Sequence, residues 1–366
     1  MIILICCNDS FSTYTFRRNL ILNLMKKNHH VFVVCKGDHY LKKLVDEGIN
    51  VIEVKMNNTS KNHWHDFLLY LKYRQIVKMV NPDIIINYTI KPHLYMTLAA
   101  RHYNIKIINF VPGISSMLYQ DTLAKKILVR FYRFVSRYTW GYIFLNQDDL
   151  FEFKFQKILR AHNKTFVLNS EGVDLNVYQR CETMDFNKVK FLFVGRLVKE
   201  KGLLEYLQAA SLIKQKYDDV EFYIAGQMYE KSGSTISMDI IREYEKRGIV
   251  KYLGFIENMP ELYKQVHVVV LPSYREGMPI SLIEALATGR AIIASMVPGS
   301  KELVKEKFNG FSCQARDVES LTKAMINYIE LSNEDKHSLS HNAHQMAKNF
   351  DVNVIVEKQL EILELR

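Results

Sequence analysis

Residues 272–289 read PSYREGMPISLIEALATG. An aliphatic run, Val266-His267-Val268-Val269-Val270-Leu271, leads into them. The pattern predicts a buried strand, then a loop carrying Glu276, Gly277 and Pro279. A helix follows that starts near Ile280, carries Glu284 and Ala285 and stops at Gly289. Strand, glycine-bearing loop and helix N-terminus aim backbone N–H groups at an anion. Glu276 and Glu284 flank that place, eight positions apart. A phosphate at the helix start would lie between two acceptors able to grip hydroxyl groups. A sugar joined to a nucleotide through phosphates has that shape.

The same alternation of short apolar strands and helical stretches extends in both directions. In the first half, strands are expected near Ile2–Cys6, Val31–Cys35, Val51–Val54, Ile84–Asn87, Lys106–Phe110, Tyr142–Leu145 and Phe166–Leu168. In the second half they fall near Lys190–Val194, Glu221–Ala225, Val250–Leu253, His267–Leu271, Ala291–Ala294 and Gly310–Cys313. Runs of Val, Ile and Phe without polar alternation suit parallel strands covered on both faces. Repeated β-α-β order predicts an α/β protein of doubly wound sheets. Thirteen strands are too many for one such sheet, so two Rossmann-like domains are expected: residues 1–178 and 186–350, joined through a polar segment between Val173 and Asn187. Residues 351–366 have the pattern of a last helix. Ligands of such sheets bind beyond the strands' C-terminal ends. The loops to inspect are therefore Asn8–Ser12, Tyr88–His93, Val111–Ser116, Gly195–Gly202, Gly226–Tyr229, Gly254–Glu257 and Pro272–Pro279.

At 366 residues the chain is long enough for two cores. It has no run of 18 apolar residues, so no transmembrane helix is expected. The N-terminus lacks a basic region and a small-residue cleavage site and reads as a strand, not a signal peptide. Five scattered cysteines without C-x-x-C suit a reducing cytoplasm and make a zinc site improbable. Charge is uneven: residues 1–180 hold 25 Lys/Arg against 13 Asp/Glu, and the remainder hold 24 against 26. An anionic surface should therefore meet the first half.

Arg196 and Lys201, just past the strand Lys190–Val194, offer a guanidinium fork and a point charge suited to a diphosphate. No D-x-D occurs, so a carboxylate-held metal is not indicated and no cofactor is expected. Arg196, Lys201 and the helix start near Ile280 would neutralise the diphosphate instead. Absence of G-x-G-x-x-G and of G-x-x-x-x-G-K-[ST] weakens dehydrogenase and nucleoside triphosphatase readings.

GRLVKEKG at 195–202, YLGF at 252–255, LPSYREGMPISLIEALATGRAIIAS, the following PG, Glu302 and NG at 309–310 resemble the nucleotide-binding half of retaining glycosyltransferases of family 4. YTIKPHLYMTLAAR at 88–101, NFVPGISSM at 109–117 and NSEGVD at 169–174 extend the resemblance to the first half. They are similar to the subgroup that extends lipid-linked sugars in bacterial surface glycan assembly, lipid-linked-oligosaccharide N-acetylgalactosaminyltransferases among them. The resemblance implies the glycosyltransferase B fold, with the last helix returning to the first domain and the donor held by the second. It implies that Arg196 and Lys201 bind the donor diphosphate, Glu276 the donor-sugar hydroxyls and Glu284 the ribose. It implies backbone contacts from Gly277, Met278, Pro279, Ile280 and Ser281, and the base near Phe255 and Ile256. The donor phosphate would assist proton removal from the acceptor, with front-side attack and retained configuration. The family's paired glycines in the first loop are replaced here by Asn8–Ser12, where Ser10 and Ser12 are acceptor-side candidates. Its His-Gly is replaced by Pro112-Gly113. Lys91 or His93 is a substitute for that histidine, or His93 is a loop histidine bonded locally; Gly113 marks a close backbone approach.

Lys126, Arg130, Arg133 and Arg137 recur at helical spacing, with Ile127, Phe131, Phe134, Val135 and Tyr138 expected on the other side. That basic face suits reversible contact with an anionic membrane, and no nucleic-acid motif accompanies it. The expected activity is transfer of a hexose or N-acetylhexosamine from a UDP-sugar to a lipid-linked (undecaprenyl-diphosphate) saccharide, by a cytoplasmic enzyme peripheral on the inner face of the plasma membrane. A nucleotide-sugar 2-epimerase and a non-catalytic nucleotide-sugar-binding subunit are the alternatives.

Overall fold

The computed structural model describes residues 1–56, 63–114, 118, 122–181, 185–228 and 234–365. Ser116, Tyr229 and residues 182–184 of the polar segment lie outside that set. The chain divides into two compact units, Met1–Glu171 with Ile355–Arg366, and Gly172–Val354.

The first unit is built on β1 (Ile2–Asp9), β2 (His30–Lys36), β3 (Asn50–Glu53), β4 (Ile84–Tyr88), β5 (Lys106–Val111), β6 (Gly141–Phe144) and β7 (Lys164–Val167). They form one sheet in the order β3-β2-β1-β4-β5-β6-β7, parallel throughout. The middle strands are the aliphatic ones, because helices cover both of their faces: Ile3, Leu4 and Ile5 of β1 and Ile84, Ile85 and Ile86 of β4 are buried. The chain runs outward through β2 and β3, then returns to β4 on the other side of β1. This switch point opens a crevice at the ends of β1 and β4. Thr89 Oγ1 donates to Asn8 Oδ1 there at 2.6 Å.

The second unit carries β8 (Val189–Val194), β9 (Val220–Ala225), β10 (Lys251–Gly254), β11 (Val268–Leu271), β12 (Ala291–Ser295) and β13 (Gly310–Cys313). Their order is β10-β9-β8-β11-β12-β13, again parallel. The switch point falls between β8 and β11, so the loops after β10, β9, β8 and β11 stand in a row.

The chain changes unit between Glu171 and Gly172, ahead of the polar segment. Val173 already belongs to the second unit through its backbone bonds to Phe350 and Val352. The helix Val352–Leu363 begins in the second unit, and its residues from Ile355 onward belong to the first. Lys106 Nζ holds its end, donating to Leu363 O at 2.9 Å and to Glu364 Oε2 at 2.7 Å.

Candidate functional site

The loops after β8 and β11 carry the charged residues that sequence singled out, and backbone bonds tie the four adjacent loops together. Gly195 N donates to Ala225 O, Leu197 N to Gln227 O, Gly226 N to Gly254 O and Tyr274 N to Glu200 O, at 3.1, 3.2, 2.8 and 2.8 Å. A short 3-10 turn, Lys199–Lys201, ends at Gly202 with φ +74°. A β-carbon there would lie 2.1 Å from Pro272 O, so glycine is what lets the two loops touch. Gly299 does the same on the other flank: φ is +82° and a β-carbon would meet Gly277 O at 2.5 Å. Glu276 N donates to Pro298 O at 3.2 Å.

This clamp brings Lys201 and Glu276 together across 75 positions of sequence. Lys201 Nζ lies 2.6 Å from Glu276 Oε1, with side chains 19% and 10% exposed. Arg196 is exposed on the same loop as Lys201. The helix Ile280–Ala287 starts just beyond, with Pro279 at its N-cap, no side-chain cap and no acidic residue in its first turn. Met278 is buried, while Gly277, Ile280 and Ser281 are partly exposed. Phe255 is exposed beyond β10, with Ile256 beside it.

Glu284, one turn into that helix, is partly buried. Tyr178 donates to its Oε1 at 2.7 Å and Tyr263 to its Oε2 at 2.9 Å. Burial pushes its carboxyl up to about 7, and the two tyrosine hydrogen bonds pull the other way. The carboxylate is thus held in one orientation before any ligand arrives. Sequence reasoning missed both tyrosines. Tyr178 lies in the segment read as a linker, and an aromatic residue in so polar a stretch was the available signal. It also missed Arg290. That buried guanidinium donates to Val266 O, Cys181 O and Thr288 O and ties the segment after Tyr178 to the end of the helix.

The acceptor-side candidates lie in the first unit, and most of them have local tasks. Ser10 is buried, and its Oγ donates to Asp38 Oδ1 at 2.5 Å. Ser12 N donates to Asp9 Oδ1 at 2.7 Å, capping the helix Ser10–Lys26. Lys91 Nζ pairs with Asp66 at 2.6 Å. His93 is not in a loop: it sits in a π-helical turn, Pro92–Met96, that turns its ring into the core. Nδ1 lies 3.1 Å from the Tyr132 hydroxyl and Nε2 2.9 Å from Phe110 O. Burial lowers its pKa to about 4. Gly113 is exposed after β5. Beneath these loops Arg17 forms a buried pair with Glu171 at 2.8 Å and lies 4.6 Å over the Tyr88 ring, which gives the NSEGVD segment its structural task.

The helix Leu123–Val135 corrects the expected division of faces. Val129, Tyr132 and Val135 are buried, whereas Leu123, Ile127 and Phe134 are exposed alongside Lys126 and Arg130. Arg137, in the turn beyond, lies 5.8 Å over the Phe134 ring. Arg133 is committed to the fold, donating to Gln156 O through Nε and Nη2 at 3.0 and 2.8 Å. The exposed stripe is therefore mixed, apolar and cationic together.

Comparison with known proteins identifies the class. The family model described as "Glycosyl transferase 4-like" matches residues 3–146, and "Glycosyl transferases group 1" matches residues 182–346. The chain belongs to the family 4-like, group 1 glycosyltransferases and is a glycosyltransferase of the glycosyltransferase B fold. It is 28% identical over 371 residues to an N,N'-diacetylbacillosaminyl-diphospho-undecaprenol alpha-1,3-N-acetylgalactosaminyltransferase of Campylobacter jejuni, covering 96% of each chain. It is 24% identical to a UDP-Gal:alpha-D-GlcNAc-diphosphoundecaprenol alpha-1,3-galactosyltransferase of Escherichia coli, over 83% of this chain and 81% of that one. Among solved structures, Anabaena HepE in complex with UDP-glucose superposes with a TM-score of 0.81 at 20% identity, covering 100% of this chain and 99% of that one.

Proposed function

We propose that this glycosyltransferase moves a hexose or N-acetylhexosamine from a UDP-sugar to an undecaprenyl-diphosphate-linked saccharide, with retention of configuration, at the inner face of a bacterial plasma membrane. The observation that carries the proposal is the Lys201–Glu276 pair beside the uncapped start of the Ile280–Ala287 helix. A cation and a carboxylate meet at the loop that leads into a helix N-terminus, a combination suited to a diphosphate joined to a sugar. The relatives' names support the acceptor: both the Campylobacter and the Escherichia coli enzymes are named for undecaprenyl-diphosphate sugars. The donor class is supported by the second of those names and by the UDP-glucose in HepE.

In this reading the departing diphosphate gains negative charge as the glycosidic bond breaks. Lys201, Arg196 and the helix start stabilise that charge where it develops. Glu276 holds hydroxyls of the donor sugar. Glu284, oriented by Tyr178 and Tyr263, accepts hydrogen bonds from the ribose, and the base lies toward Phe255 and Ile256. The leaving phosphate takes the acceptor's proton on the face it departs from, which preserves the configuration. No metal enters the scheme. Ser12, Lys91 and Gly113 stand on the acceptor side. His93 is left out, because both of its ring nitrogens are bonded in the core. The mixed stripe of Leu123, Lys126, Ile127, Arg130, Phe134 and Arg137 supports contact with an anionic bilayer.

A thermal-shift panel of UDP, GDP and UDP-sugars on wild type and Arg196→Ala tests the donor. Binding raises the transition temperature by mass action. A shift confined to UDP compounds and diminished in the variant is expected; no shift at millimolar ligand would overturn the donor assignment. Transfer of labelled sugar from the best donor to a lipid-diphosphate saccharide then tests the acceptor. Release of an epimerised nucleotide sugar without acceptor would overturn transfer.

A further inference from the structure

The first unit exposes a second apolar helix face that the proposed donor site does not use. On the helix His63–Val80, the side chains of Leu69, Tyr73, Ile76 and Val77 are buried. Trp64, Phe67, Leu68 and Leu71 are 64%, 47%, 46% and 36% exposed, and Met79 is 68% exposed. Their spacing of three and four places them on one side of the helix. Exposed Lys72 borders them, and exposed Arg74, Gln75 and Lys78 continue the same side toward the helix's C-terminal end. The helix has one carboxylate, Asp66, which is taken up by Lys91 at 2.6 Å and by the Tyr95 hydroxyl at 2.9 Å. The exposed face is thus apolar in its N-terminal half, polar and cationic in its C-terminal half and without a carboxylate. Tyr95 also meets Phe131 of the Leu123–Val135 helix edge-on at 5.7 Å. The same turn therefore seats both helices.

We propose that this face is a bilayer-insertion surface: Trp64, Phe67, Leu68 and Leu71 enter the headgroup and acyl boundary of an anionic membrane while Lys72, Arg74 and Lys78 stay at the phosphates. A solvent-facing tryptophan beside leucines suits the interfacial zone, where an amphipathic ring is stabilised. The proposal rests on the membrane reading above and deepens it. The Leu123–Val135 stripe supplies much of the electrostatic attraction, and the His63–Val80 face supplies the apolar burial that two-signal attachment needs. The occupant is a lipid surface and not a protein partner because cations without carboxylates complement anionic headgroups.

Trp64 is its own reporter, since the only other tryptophan is Trp140, whose ring is covered by Lys106 at 4.0 Å and Lys164 at 4.7 Å. In a Trp140→Phe background, Trp64 emission should shift to the blue on vesicles of phosphatidylcholine containing phosphatidylglycerol. Lipids brominated on the acyl chain should quench it. Trp64→Ser with Leu68→Ser should weaken vesicle binding by about tenfold or more, with folding and transfer to a short-chain soluble acceptor unchanged. Vesicle binding with unshifted Trp64 emission and no loss in the double variant would overturn the insertion surface while leaving the membrane reading intact. Absence of binding to anionic vesicles would overturn both. Concentration-dependent self-association in solution that the double variant abolishes would assign the face to a second copy and overturn the proposal.

Discussion

Glu276→Gln should change nucleotide binding and turnover in opposite directions. In the proposed site the diphosphate and Glu276 share one ammonium, that of Lys201, which lies 2.6 Å from Glu276 Oε1. The amide removes a negative charge from beside the phosphates and leaves Lys201 with a weaker partner. Exposed ion pairs contribute about 0.2–1 kcal/mol, and breaking a buried one costs roughly 3–5 kcal/mol. With side chains 19% and 10% exposed, this pair falls between those limits. A net gain of about 1.4 kcal/mol corresponds to about tenfold. UDP should therefore bind the variant about tenfold more tightly by titration calorimetry, and raising the salt should narrow the gap. Turnover of the UDP-sugar should fall by about 10²–10³, because a preorganised contact to the donor sugar is lost. Purely structural damage would weaken both. Unchanged or weaker UDP binding would refute the shared ammonium, and near wild-type turnover would remove Glu276 from the site.

Two further substitutions separate site chemistry from scaffolding. Glu284, with its carboxyl at about 7 against an ordinary 4.5, holds its proton in the folded state over a range where the unfolded chain has lost it. It therefore favours folding below about pH 4.5, and that contribution is lost as pH rises through about 7. At about 1.4 kcal/mol per pKa unit, the full span is about 3 kcal/mol. Glu284→Gln should stabilise the unliganded protein by roughly 1–3 kcal/mol at pH 8 and have little effect at pH 5; equal effects in urea unfolding at both would contradict the raised pKa. Arg290→Met should instead destabilise at every pH by roughly 3 kcal/mol or more, since it leaves buried carbonyls of Val266, Cys181 and Thr288 without their donor. Urea unfolding checks this, and a loss below 1 kcal/mol would mean that the carbonyls find other partners.

What was legible in the sequence follows from where each feature's cause resides. The strands were legible because a parallel strand buried on both faces must be apolar along its length, as Val268, Val269, Val270 and Leu271 are. Their order was not, since it depends on crossovers that local pattern does not encode. Lys201 and Glu276 were each legible as charges in strand-end loops. Their meeting depends on β8 lying next to β11 and on Gly202 and Gly299 letting backbones touch.

The bonds of Tyr178 and Tyr263 to Glu284 were not legible, because a hydroxyl bonded to a distant carboxylate leaves no spacing in the chain; at Tyr178 only its aromatic character in a polar stretch was a signal. His93 follows Pro92, which reads as a turn, yet the π-helical geometry turns the ring inward, and burial there lowers its pKa. On the helix Leu123–Val135 the period identified a helix but could not say which of two apolar arcs would be buried. The sheet took Val129, Tyr132 and Val135, and Leu123, Ile127 and Phe134 were left among the cations. On the helix His63–Val80, Asp66 is taken up by Lys91 and Tyr95, bonds that local pattern does not encode. Both exposed faces are thus products of tertiary pairing: each was set by what the core withdrew from the surface, which is why their chemistry emerges only once the partners of Asp66 and Tyr132 are known.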